Sequence, residues 1–128
     1  MTENRRALIS YRLAQAAEAL ESARILLDRD KVASSVNRSY YAMFYAVLAL
    51  LASRDKETGK HTGAISLFDK EFVKSGELPR ELSRWLHDAF DLRLRSDYLG
   101  QPAVGQEEAL ATIQHAEAFL ERLRGLLP

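Results

Sequence analysis

Apolar residues recur along this chain at intervals of three and four, the spacing of one helix face, and no segment alternates like a strand. Five segments carry the pattern. In the first, about Glu3 to Leu27, the residues Ile9, Leu13, Ala16, Leu20, Ala23 and Leu27 form one narrow stripe. The charged stretch Asp28-Arg29-Asp30-Lys31 ends it. A second helix is expected from about Ala33 to Ser53, capped by Ser34 or Ser35. Its inner stripe is Val36, Tyr40, Met43, Val47 and Leu51; Phe44 and Leu48 widen it, so this helix should be the most enclosed.

A polar connection from Arg54 to Lys60 leads to a short third helix, about Thr62 to Lys74, with Ile65, Leu67, Phe68 and Phe72 apolar. Ser75-Gly76 stops it, since glycine is the usual residue just past a helix C-terminus. Pro79 suits the first turn of a fourth helix running to about Leu99, with Leu82, Leu86, Ala89 and Leu92 inward. The stretch from Gly100 to Gly105 is a break. A fifth helix starts near Gln106, where Glu107 and Glu108 suit the positive end of its dipole. Its stripe is Ala109, Ile113, Ala116, Leu120, Leu123 and Leu127. The predicted fold is all-α: one domain over residues 1–128, an antiparallel up-and-down bundle of four long helices plus one short crossover helix.

Composition narrows the possibilities. At 128 residues and 47% apolar, the chain suits one domain with a real core. Eighteen basic and eighteen acidic residues give zero formal net charge. That argues against a protein that coats DNA through a strong basic excess, but not against a local basic pocket. With no cysteine, thiol catalysis, disulfides and zinc-thiolate sites are excluded. The polar stretch Met1 to Arg6 precedes no signal-like apolar core. The longest apolar run, thirteen residues from Tyr40 to Ala52, falls short of the ~20 that span a bilayer. These features predict a cytoplasmic protein with no membrane association.

Two segments hold the candidate chemistry: Asn37-Arg38-Ser39-Tyr40-Tyr41-Ala42-Met43-Phe44-Tyr45-Ala46 and Leu92-Arg93-Leu94-Arg95-Ser96-Asp97-Tyr98. Each sets arginine among apolar or aromatic residues on a helix. A guanidinium so placed is costly without an anion, so either an internal carboxylate or an outside phosphate compensates it. Arg38 can snorkel, pair with a carboxylate, or hold phosphate through its planar fork. Arg93 with Asp97, and Asp91 with Arg95, have the spacing of ordinary surface ion pairs. Tyr98 adds a hydroxyl beside Asp97. Tyr41 and Tyr45 share one face, suited to a dimer surface or a stacking platform. Lys60 and His61, just before the third helix, could add positive potential there or simply cap it. His87 and His115 read as solvent-facing or half-buried. No histidine pair has metal-ligand spacing and no phosphate-loop glycine pattern occurs, so no metal or cofactor is expected.

Taken together, Asn37-Arg38-Ser39-Tyr40-Tyr41-Ala42-Met43-Phe44, Lys60-His61-Thr62-Gly63 and Arg95-Ser96-Asp97-Tyr98 on a five-helix chain resemble the HEPN domains (higher eukaryotes and prokaryotes nucleotide-binding). The match looks closest to their small stand-alone prokaryotic branch and covers about residues 5 to 125. The resemblance implies a helical bundle that dimerises and works near nucleotides or RNA. It further implies a minimal nucleotidyltransferase partner, often as toxin and antitoxin. Active ribonucleases of the group place an arginine and a histidine, with four to six residues between, late in the bundle, and cleave RNA without a metal.

This sequence departs from that motif. Four residues after Arg93 the next position is Tyr98, and from Arg95 the permitted positions are Gly100, Gln101 and Pro102. Arg54 and His61 match in number but straddle a helix end and Gly59, while Arg84 and His87 lie too close together. Tyrosine, with a reference pKa of ~10 against ~6.5 for histidine, is a poor proton shuttle at neutral pH. The expectation is therefore a nucleotide- or RNA-binding protein rather than a catalyst. Arg38, Arg93 and Arg95 would hold phosphate, Lys60 and His61 would add charge, and Asp97 and Tyr98 would orient the arginines. An altered metal-independent ribonuclease toxin, or a non-catalytic helical adaptor, are the alternatives.

Overall fold

The computed structural model describes residues 1–58, 60–98 and 104–128; the Tyr98 side chain lies outside that description. The five expected helices are present as an all-α bundle: α1 (Glu3–Asp28), α2 (Val32–Ser53), α3 (His61–Phe68), α4 (Arg80–Tyr98) and α5 (Gln106–Arg124). The predicted break after the fourth helix falls mostly on residues outside the description. Among the described residues no helix is long and apolar enough to cross a membrane.

α2 forms the centre, packed on α1, α4 and α5. Thirteen of its twenty-two residues are buried. Ala42, Ala46 and Ala49, all fully buried, leave room for neighbouring helices to approach, while Val36, Tyr40, Met43, Val47 and Leu50 fill the space between them. The stripes of α1 and α5 pack on this core as their spacing predicts, with Leu13, Leu27 and Leu127 only half-buried at the margins. In α5, Phe119 is also fully buried, against Phe68 at 5.5 Å.

The starts and stops differ in instructive ways from the sequence reading. α2 begins at Val32, and neither Ser34 nor Ser35 caps it. The reason is the turn before it. Asp30 takes a left-handed conformation (φ 60°), Lys31 N–H bonds to Leu26 C=O and Asp30 N–H to Leu27 C=O. This Schellman closure ends α1 and delivers the chain straight into α2. Ser35 then lies one turn inside, buried, its hydroxyl donating to Ala23 C=O at 2.8 Å. The same arrangement ends α2, with Asp55 (φ 57°), Lys56 N–H on Leu51 C=O and Asp55 N–H on Ala52 C=O. Both ends read Arg-Asp-Lys, with aspartate where glycine is usual. Each carboxylate is used: Asp55 pairs with Arg5 at 2.8 Å and Asp30 accepts from Gln106 at 2.6 Å.

The expected third helix is regular only to Phe68; Asp69–Val73 then widens into a π-helical turn. Phe68 and Phe72 both stay fully buried through this change. At its start Asp69 reaches α4, accepting from Ser83 Oγ and contacting His87 Nε2, both at 2.7 Å. Such wide turns commonly appear where a side chain must be aimed off the regular helix. Gly76, at φ 86°, reverses the chain, and Pro79 stands just before α4. Truncating Phe68 to alanine removes a fully buried ring shared by α3 and α5. Urea unfolding should show a loss of about 3–5 kcal/mol.

Candidate functional site

The N-terminal half of α2, the start of α3 and the C-terminal half of α4 meet in one aromatic cluster. Tyr40, fully buried, lies at its centre, with Tyr41 at 5.3 Å, Phe44 at 5.9 Å and Phe90 at 5.6 Å between ring centroids. Into this cluster α4 inserts Arg93. Its guanidinium carbon sits 5.0 Å from the Tyr40 centroid, 5.4 Å from Phe90 and 5.5 Å from Tyr41. One Nη donates to the Tyr41 hydroxyl at 2.9 Å, while Nε is buried with no acceptor. Among the described residues no carboxylate pairs with Arg93. The expected Arg93–Asp97 and Asp91–Arg95 ion pairs are also not formed. For the first pair the reason is direction: Arg93 turns inward across the helix interface toward Tyr41, and Asp97 bonds to Asn37 on α2.

Arg38 approaches the same tyrosine, its guanidinium carbon 4.8 Å from the Tyr41 centroid. Its Nε and one Nη donate to Asn37 Oδ1 at 3.1 and 2.9 Å. Asn37 in turn donates to Asp97 at 3.3 Å. Asp97 thus reaches Arg38 only through an amide, which fixes the guanidinium without neutralising it. An open hollow of ≈ 400 Å³ lies beside these groups, lined by Leu26, Ala33, Ser34, Asn37, Arg38 and Asp97.

His61 opens α3 and lies flat on Phe44, centroids 4.1 Å apart and planes at 7°. Its Nδ1 is 2.9 Å from the Tyr40 hydroxyl. Gly63 lies close to the stretch before this turn: a Cβ there would stand 2.5 Å from Thr58 Oγ1, so a side chain at this position would force Thr58 to shift. Burial first, and then the charge of Arg93, hold the imidazole below its ordinary value. Burial pushes the Tyr40 phenol well above its own, with Arg93 opposing in part.

The fold therefore brings Arg38, Arg93, Tyr41, His61 and, through Asn37, Asp97 to one place. Tyr45, half-buried and 5.7 Å from Tyr41, borders it. Lys60 is exposed next to His61. Arg95 is exposed and lines a different groove, between α4 and α5, with Trp85 and His115. Tyr98 closes α4, and the expectation attached to its hydroxyl falls outside the description. Arg54, the numerical partner of His61, is turned away: it forks onto Glu77 at 3.2 and 2.7 Å and covers Phe72 at 4.9 Å. One residue and one pairing of the cluster escaped sequence reasoning. Phe90, three before Arg93, has the helical spacing that lets a ring meet a guanidinium. The Asn37–Asp97 link joins residues sixty apart and leaves no local signal.

A family model for the HEPN domain matches residues 9–126. The chain belongs to the HEPN family. A UPF0332 protein of Thermotoga maritima is 36% identical over 120 residues, covering 94% of this chain and 91% of that protein. A UPF0332 protein of Gloeobacter violaceus is 39% identical over 108 residues, covering 84% and 86%. The protein of Methanocaldococcus jannaschii named "Putative toxin MJ0142" is 33% identical over 113 residues, covering 88% and 77%.

The histidine also makes a linkage prediction for this HEPN domain. An unfolded chain protonates His61 near its ordinary 6.5, whereas the folded protein resists protonation until a lower pH. Its stability contribution is therefore complete above that ordinary value and is lost as pH falls through the folded one. NMR titration should give a depressed His61 midpoint that rises in Arg93→Gln. The urea midpoint should fall less between about pH 7 and about pH 5 in His61→Gln than in the parent.

Proposed function

We propose that this HEPN protein binds the phosphate of a nucleotide or RNA at the Arg38–Tyr41–Arg93–His61 cluster, as a homodimer acting with a minimal nucleotidyltransferase in a toxin-like pair. The observation that carries the reading is Arg93. It is a half-buried guanidinium held by aromatic faces and one hydroxyl, with no carboxylate partner among the described residues. Cation–π contacts are worth roughly 0.5–2 kcal/mol each and do not cancel a charge, so an anion from outside completes the site. Arg38, fixed by Asn37 on the same tyrosine, supplies a second cation. An adaptor whose arginines are satisfied by internal carboxylates is disfavoured by the same facts. The toxin-like role draws support from two Methanocaldococcus jannaschii relatives with toxin in their names. The nucleotidyltransferase partner rests on the family resemblance.

Phosphate-driven binding has a salt signature. With roughly two phosphates neutralised on a single strand, log affinity should fall with log salt at a slope of about −1.4. Short RNA should then bind about sevenfold more weakly at 200 mM than at 50 mM salt. Arg38→Gln should weaken binding and flatten the slope by about 0.7. A titration with no salt dependence, or no binding of either ATP or RNA, removes the reading.

One observation favours a second reading. His61 lies beside Arg93, so a proton-transferring group and a phosphate-holding group share the site. If the protein is a metal-independent ribonuclease, it cleaves RNA in the presence of chelator and His61→Ala abolishes the cleavage. Intact RNA after prolonged incubation limits the protein to binding.

A further inference from the structure

The bond between Tyr40 and His61 settles more than the position of a ring. Tyr40 is fully buried, and its hydroxyl contacts a single hydrogen-bond partner among the described residues, His61 Nδ1 at 2.9 Å. A neutral imidazole carries one proton, on either nitrogen. If Nδ1 carried it, Nδ1 would donate to the phenol oxygen and the phenol's own hydrogen would be buried without an acceptor. If Nε2 carries it, the phenol donates to Nδ1 and nothing is left over. A buried donor without a partner bears the full desolvation penalty, enough to bias the two forms by about tenfold or more. Burial keeps Tyr40 protonated and disfavours the charged imidazole, so both groups are neutral near pH 7.

We infer that Tyr40 is a positioning residue that locks His61 in the Nε2–H form, so that this end of the site presents hydrogen-bond donors to a proton-free phosphate oxyanion such as a phosphodiester link. The same logic applies to Tyr41. Its oxygen accepts from Arg93, which leaves its hydrogen to be given away. His61 stands edge-on to Tyr41 with centroids 5.5 Å apart, and Arg93 bonds to the Tyr41 hydroxyl, so Nε2–H, the hydroxyl and the guanidinium are donors grouped about the Tyr41 ring. The carboxylate of Asp97 lies at the other end of the cluster, bonded to Asn37. Among these three groups a ligand with a proton of its own to donate finds only the second lone pair of the Tyr41 oxygen. An internucleotide phosphodiester has no such proton and meets donors only. The inference rests on the phosphate-binding reading for its ligand, but the tautomer stands on the free protein alone.

Long-range nitrogen NMR of the imidazole at about pH 7.5, where histidine is neutral, reads the tautomer directly. The free protein should show His61 as Nε2–H. In Tyr40→Phe the signature should move toward a mixture of both forms. Binding of the dinucleotide ApA should weaken several-fold while the circular dichroism spectrum is unchanged. Adding ApA to the parent protein should shift the Nε2 resonance more than Nδ1. An Nδ1–H signature in the parent, or an unaltered tautomer in Tyr40→Phe, overturns the locking inference and leaves the phosphate reading standing. An Nε2–H signature with no response to ApA overturns the ligand and, with it, the phosphate reading. The parent measurement decides the tautomer even if Tyr40→Phe fails to fold.

Discussion

Enclosure of α2 is the constraint on which the rest of this bundle depends. A helix packed closely on three others must present apolar or small residues almost all round, and α2 does so from Tyr40 to Ala52. Its first turns depart from that rule. There Asn37 and Arg38 share the helix with Tyr40 and Tyr41, and the packing helices are α4 and the start of α3. The half-buried Asn37 and Arg38 side chains are held by bonds to one another and to Asp97, next to the contacts that stabilise the fold.

That coupling explains how a charge is tolerated so near the core. Three ring faces surround the Arg93 guanidinium, which offer it a negative quadrupole but no countercharge. Arg38 is treated similarly, being held by an amide that stands between it and Asp97. The contrast with Arg54 is direct. Arg54 forks onto Glu77, draws that carboxyl below its usual range and serves as a clamp between the end of α2 and the turn before α4. One chain thus contains both fates of an arginine: neutralised where it has a structural task, left positive where the aromatic cluster opens.

Helical periodicity made most of the fold legible. The stripes of α1, α2, α4 and α5 needed only spacing, because burial of one helix face is a local, repeating demand. The π-helical turn at Asp69 was not legible, and neither were the bonds that Asp69 makes there to Ser83 and His87 on another helix. The same holds for Ser35, which looks like a cap in sequence and is a buried tie to α1 in the fold. For the site, the types of residue were apparent and their pairings were not. Arg93 and Asp97 have perfect spacing for an ion pair, yet each finds a better partner on α2. His61 was visible as a group at a helix start, but its stacking on Phe44 and its bond to Tyr40 depend on folding the chain back across seventeen and twenty-one residues.

The two left-handed aspartates have a consequence for how sequence can vary at the helix ends. Aspartate in that conformation gives up backbone energy that glycine would keep, on the order of 1 kcal/mol. In return Asp55 tethers the first turn of α1 through Arg5, and Asp30 tethers the first turn of α5 through Gln106. Glycine at either position would relax the turn and release a helix start elsewhere in the bundle, so its two effects oppose one another. The residue that suits each turn is therefore chosen by a helix the turn does not belong to.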